Sequence, residues 1–193
     1  MPRSKAFDPD AALRKAMQLF WRQGYEATSI DDLVRAMGVN RASLYATFGD
    51  KRTLFRRALQ RYLATVLAPR LQATAEAASP LAGLRGLMSE LVAFSAGDPQ
   101  RRGCLAVNSA CELAAREPEV AAMIKTQAAA LERQLAHLIA RAQAEGELKA
   151  GGDPAALARM LAAIIDGLRV RAKLAPDRAQ FESIAASALA ALG

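Results

Sequence analysis

The stretch Thr28–Lys51, TSIDDLVRAMGVNRASLYATFGDK, decides how the rest of the chain is read. Ile30, Leu33, Val34 and Met37 recur at i, i+3, i+4 and i+7, which predicts a short helix with one apolar face. Thr28 or Ser29 supplies the oxygen that caps it. Asp31 and Asp32 fall in its first turn, where the free N–H groups favour acids. Gly38 has the freedom to take the positive φ that ends the helix, and Val39 plugs the corner. Asn40 then caps a second helix carrying Arg41, Ser43, Tyr45 and Thr47, with Leu44 and Phe48 as its apolar anchors. Two short helices about a tight turn form a helix-turn-helix, the motif whose second helix enters the DNA major groove.

Working backwards, residues 1–8 form a short arm in which Arg3 and Lys5 could meet phosphates or simply fray. Asp8 and Pro9 open a helix, Leu13, Ala16, Met17, Phe20 and Trp21 form its apolar stripe, and Gly24 stops it. This helix is expected to wall the motif from behind, with Trp21 in the core. Tyr25 packs its ring in the same small core, and its hydroxyl has the reach of a phosphate.

Working forwards, Gly49 and Asp50 break and recap the chain, so Lys51 and Arg52 open a long helix. Leu54, Phe55, Ala58, Leu59, Tyr62, Leu63, Val66 and Leu67 keep the helical period until Pro69. A helix of this length serves as a rigid connector between residues 1–50, a helix-turn-helix domain, and residues 51–193, a larger helical domain. Helical segments are predicted near 80–96, 101–115, 118–146, 153–174 and 178–192, separated by Pro and Gly breakers such as Pro80, Pro99, Pro118, Gly146, Pro154 and Pro176. With many Ala and few β-branched runs, the expected fold class is all-α. The last two helices are the most apolar. They are expected to pair with those of a second subunit as a four-helix bundle, packing inside one subunit being the alternative.

Charge is unevenly distributed. Residues 1–60 hold 11 Lys/Arg against 6 Asp/Glu, whereas residues 61–193 hold 15 against 13. Such an excess attracts polyanions without choosing among them, so it points to nucleic acid only together with the motif. Two cysteines make no disulfide framework, no apolar run is long enough for a membrane span, and MPRSKAFDPD lacks a signal core. Cytoplasmic location is the expectation. The sequence carries no HExxH, no GxSxG and no phosphate-cradling glycine loop, so no enzyme is expected. His137 is the only histidine, and neither a metal nor a cofactor is expected.

The segment GYEATSIDDLVRAMGVNRASLYATFGDKRTLF, Gly24–Phe55, resembles the TetR/AcrR family of transcriptional regulators. The resemblance covers about the first 60 residues. It implies an all-helical homodimer with a small amino-terminal DNA-binding domain and a larger ligand-binding, dimerising domain. Farther on, RGCLAVNSACELA, Arg102–Ala114, resembles a subgroup that includes copper- and electrophile-responsive regulators.

The expected DNA-facing set is Thr28, Ser29, Asn40, Arg41, Ala42, Ser43, Tyr45, Thr47 and Lys51. Arg41 can pair bidentately with guanine, while Ala42, Ser43 and Thr47 offer small contacts, including to the thymine methyl. Tyr45 resembles the family position that meets the sugar-phosphate backbone. Thr28, Ser29 and Lys51, at helix starts, suit phosphate clamping.

In the larger domain, Cys104 follows Arg101, Arg102 and Gly103 at a helix start, a setting that lowers a thiol pKa. A small apolar core role is the alternative for Cys104 and the expectation for Cys111. Asn108 and Glu112, at i+4 and i+8, are expected on the face of Cys104, and Asp166 interrupts an apolar run. Together they are candidates to line an effector pocket. The chain is therefore expected to be an effector-responsive repressor that binds a palindromic duplex as a homodimer. The alternative is a thiol-based redox or electrophile sensor acting through Cys104.

Overall fold

The computed structural model describes residues 7–174 and 177–193, so the arm with Arg3 and Lys5 and the breaker Pro176 lie outside the described residues. Every regular element among the described residues is helical. They are α1 (Pro9–Gln23), α2 (Ile30–Met37), α3 (Arg41–Phe48), α4 (Lys51–Tyr62), a π-helical turn (Leu63–Leu67), α5 (Ala68–Ala73), α6 (Pro80–Gly97), α7 (Leu105–Leu113), α8 (Pro118–Ala144), α9 (Pro154–Leu174) and α10 (Arg178–Ala190).

Local chemistry sets the first boundaries. Asp8 caps α1 through the N–H of Asp10. Of the two candidates for the α2 cap, Ser29 takes it. Its hydroxyl accepts from Asp32 N–H while the Asp32 carboxylate accepts from Ser29 N–H, a reciprocal capping box. Gly38 ends α2 in the left-handed region at φ 74°, and its N–H reaches the carbonyl of Val34. Asn40 and Asp50 cap α3 and α4 in the same manner as Asp8.

Two expectations are corrected here. The connector does not stop at Pro69. The i→i+5 bond from Ala68 N–H to Leu63 C=O widens the turn and places the proline in the first turn of α5, where its missing N–H costs nothing. The guanidinium of Arg70 then caps the carbonyl of Val66 at 2.7 Å. The segment predicted as helix from residue 101 starts only at Leu105. Asp98 gathers the N–H groups of Gln100 and Arg102 and the Arg102 side chain into a tight loop, with Arg101 at φ 49° and Gly103 at φ 65°.

The apolar interior falls into two clusters that do not follow chain order. One joins α1–α4 to Cys104, Leu105, Ala106 and Leu113 of the α7 region and Val120 at the start of α8. The other is built from α6, the far half of α8, α9 and α10, around Leu84, Leu135, Ile139, Leu161, Ile165 and Phe181. The 27 residues of α8 thus reach both. Trp21 is buried in the core, as expected of the helix that backs the motif, and its polar and aromatic partners come from beyond the helix-turn-helix. Its indole N–H donates to Gly103 C=O at 3.0 Å, its ring meets Tyr62 edge-on and Phe94 face-on, and Arg102 lies 4.0 Å above it. It closes the seam between α1 and the larger domain.

Candidate functional site

α3 buries Leu44 and Phe48 and turns Arg41, Ala42, Tyr45 and Ala46 outward, with Ser43 and Thr47 half-buried beside them. This partition follows from helical period, since residues 44 and 48 lie one turn apart on the inner side. Asn40 spends its side-chain oxygen on Ser43 N–H at 2.7 Å. Arg41 is exposed and donates to Asp31 at 2.6 Å, a pairing that raises the guanidinium pKa further. Tyr45 is 44% exposed, one of the few large apolar side chains left open to solvent.

The flanking positions divide. Ser29 is exposed, although its hydroxyl is held by Asp32 at 2.6 Å. Thr28, grouped with it for phosphate clamping, is fully buried, and its hydroxyl donates to Gly24 C=O at 2.6 Å. Its side chain faces inward because it ties the α1–α2 turn together. Lys51 sits at the start of α4 with its ammonium 4.3 Å above the Tyr25 ring and 3.5 Å from Glu26 C=O. Tyr25 stacks against Phe20 and meets Phe55 edge-on, and burial pushes its hydroxyl pKa up against the opposing effect of Arg52.

A second feature lies within the larger domain. A cavity of about 330 Å³, partly open to solvent, is lined by the end of α4, the π turn, α5, α6, α7, α8 and α9. Its apolar wall includes Tyr62, Leu67, Phe94, Val107, Ile124 and Ile165, and its polar groups are Arg70, Gln127, Glu132, Arg159, Asp166 and Arg169. Cys104 lines it at 1% exposure and accepts from the Tyr62 hydroxyl at 3.4 Å. Burial, with Cys104 adding to it, pushes the Tyr62 pKa well up, so the hydroxyl stays a donor. Asp166 lines the cavity paired to Arg169.

Asn108 and Glu112 stand elsewhere. Asn108 donates to Arg102 C=O, and the Glu112 carboxylate accepts from the N–H groups of Tyr25 and Glu26. Eight residues of helix carry a side chain about 80° round the axis, which swings Glu112 away from the face of Cys104. Seven residues bring it back to within about 20°, so the residue that shares the cavity with Cys104 is Cys111. Cys111 is exposed, not the core residue expected. Spacing alone could have found it.

Comparison with known proteins matches these two halves separately. Residues 12–58 match the family "Bacterial regulatory proteins, tetR family", and residues 80–188 match "Tetracyclin repressor-like, C-terminal domain". The chain belongs to the TetR family. It is 35% identical over 188 residues to the HTH-type transcriptional repressor ComR of Escherichia coli (strain K12), covering 97% of this chain and 90% of that protein. It is 33% identical over 174 residues to the transcriptional regulator AcuR of Cereibacter sphaeroides, covering 86% and 79%. Among solved structures, a cysteine mutant of the TetR family regulator CifR, complexed with 26-bp double-strand operator DNA, superposes with a TM-score of 0.85. That pair is 34% identical and covers 98% of this chain and 99% of the other. As a TetR-family member the chain is a transcriptional regulator of the DNA-binding kind, a class that is not enzymatic. No helix among the described residues is long and apolar enough to cross a membrane.

Proposed function

We propose that the protein binds a palindromic operator as a homodimer, represses transcription from it, and releases it when a small molecule occupies the cavity. The observation that carries this reading is the outward set Arg41, Ala42 and Tyr45, flanked by half-buried Ser43 and Thr47, on a helix anchored by Leu44 and Phe48. Arg41, once it leaves Asp31, reads a guanine edge, and Ala42, Ser43 and Thr47 meet neighbouring bases. Tyr45, Ser29 and Lys51 take phosphates. Asn40 serves by holding the start of α3, and Thr28 by holding the turn before α2.

The homodimer is supported by an apolar stripe on α9. Met160, Val170 and Leu174 are exposed, and with Ala163 and Gly167 they recur at the spacing of one helix face. Exposed Ser183, Ala186 and Ala190 on α10 have the same spacing and are small enough for close helix approach. A bundle of these helices with those of a second copy would set the two α3 helices one DNA turn apart, about 34–36 Å. The cavity, mostly apolar with charged groups at Glu132, Arg159, Asp166 and Arg169, suits a compact effector with one polar end.

A second reading has its own support. Cys104 and Cys111 line the same cavity, so an electrophile that enters it would meet two thiols. Enriching bound duplexes from a random pool tests the main reading. A palindrome with half-sites about ten base pairs apart is expected, whereas a pool left without consensus would end it. Cys104→Ser separates the thiol route, because a compound that releases DNA equally well from that variant does not act through Cys104.

A further inference from the structure

Glu112 and Cys111 are neighbours on α7 whose side chains point about 100° apart. Cys111, with Val107 and Ala110, lines the cavity. The Glu112 carboxylate instead spans two consecutive amides of the α1–α2 turn, Oε2 accepting from Tyr25 N–H at 3.0 Å and Oε1 from Glu26 N–H at 2.8 Å. The same turn is gripped on its other side by Lys51, whose ammonium meets Glu26 C=O and the Tyr25 ring. Gly24 admits the carboxylate. Its φ of 84° favours glycine, and a Cβ there would lie 3.0 Å from Glu112 Oε2. Arg116, one helical turn on, donates to Glu112 C=O and approaches the Glu26 carboxylate at 3.6 Å.

We propose that Glu112 is a positioning residue through which occupancy of the cavity controls the helix-turn-helix, a step that rests on the effector-released reading above. α7 is a single short helix, so a group pressed against Val107 and Cys111 moves Glu112 with it. Shifting the carboxylate off the two amides frees the turn. The start of α2 and the ammonium of Lys51 then leave the arrangement that fits DNA. An occupant has this effect because it favours the displaced α7 over the clamped one.

The test uses the full chain and N-ethylmaleimide as the probe, in a Cys104→Ser background where Cys111 is the thiol left to react. Amide exchange at Tyr25 and Glu26 and affinity for the selected duplex are both read. Glu112→Ala should speed exchange at those two amides with the melting cooperativity retained. Glu112→Gln, which keeps one acceptor, should fall between it and the parent, and Arg116→Ala should change little. Labelling Cys111 should speed the same two amides and weaken duplex binding by about tenfold. With Glu112→Ala added, labelling should cost no further affinity. The proposal is overturned if exchange at Tyr25 and Glu26 is indifferent to Glu112→Ala, or if labelling leaves affinity unchanged. It is equally overturned if labelling weakens binding by the same factor with and without Glu112. A parent that selects no duplex would sink the reading of DNA control, while the exchange experiment would still judge the clamp.

Discussion

The guanidinium of Arg41 donates to the carboxylate of Asp31 at 2.6 Å, tying the first turn of α3 back to the first turn of α2. Both side chains are more than half exposed, so the pair contributes little to stability. Its consequence is positional: under the proposed reading, Arg41 must leave Asp31 before it can reach a base.

Asp31→Asn removes both that competitor and a negative charge near the duplex. Binding to the selected duplex should tighten by a few-fold, measured by fluorescence anisotropy at fixed salt. No gain, or a loss, would show that Arg41 does not leave Asp31 when DNA arrives.

The caps of α2 and α4 carry a pH dependence whose sign is fixed. Hydrogen bonds from the Ser29 side chain and backbone hold Asp32 below the ordinary 3.8, and those from Thr53 backbone and side chain do the same for Asp50. A carboxyl depressed on folding contributes stability that is present above its unfolded pKa and lost as pH falls through the folded value. The helix-turn-helix should therefore lose a small part of its stability as pH falls below the ordinary carboxylate range. Asp50→Asn keeps a good cap that does not titrate, and should flatten the acid limb of a circular-dichroism titration. An unchanged limb would remove Asp50 from the account.

Trp21 is the only tryptophan, and it sits at the seam with Gly103, Tyr62, Phe94 and Arg102 around it. Trp21→Ala should cost about 3–5 kcal/mol in urea unfolding. Trp21→Phe keeps much of the packing but leaves Gly103 C=O without its donor, and should cost about 1–3 kcal/mol. In the parent, the fluorescence of this one residue should change on cavity occupancy if the seam moves. A cost near zero for both variants would place the strength of the seam elsewhere.

Val170→Glu places a charge in the exposed stripe of α9. Sedimentation should show a monomer where the parent is a dimer, and duplex affinity should fall by at least about a hundredfold because one half-site remains. A dimeric Val170→Glu protein would move the interface away from α9.

Much of the small domain is legible in the sequence because its signals are local. Asp8, Asn40 and Asp50 sit at helix starts, Gly38 sits at a helix end, and Leu44 and Phe48 repeat at the helical period. The larger domain is less legible for a reason that Glu112 makes concrete. Its partners, Tyr25 and Glu26, are 87 and 86 residues away, and they are backbone amides that no side-chain pattern announces. Trp21 is similar, since an apolar stripe says that a residue is buried but not against what. Thr28 was equally ambiguous with Ser29 as a cap, and only the packing of the turn separates them. The π turn before Pro69 hides in a stretch, Leu63–Leu67, whose apolar period continues that of α4.

The most direct test of the central claim, that α3 reads DNA, compares the parent with Arg41→Ala and Lys51→Ala on the selected duplex and on its single-base variants. Arg41→Ala should lose about 1–3 kcal/mol of preference at one base pair per half-site and little elsewhere. Lys51→Ala should weaken every duplex alike and reduce the salt slope by about one. If both variants bind every duplex as the parent does, α3 is not the element that meets DNA.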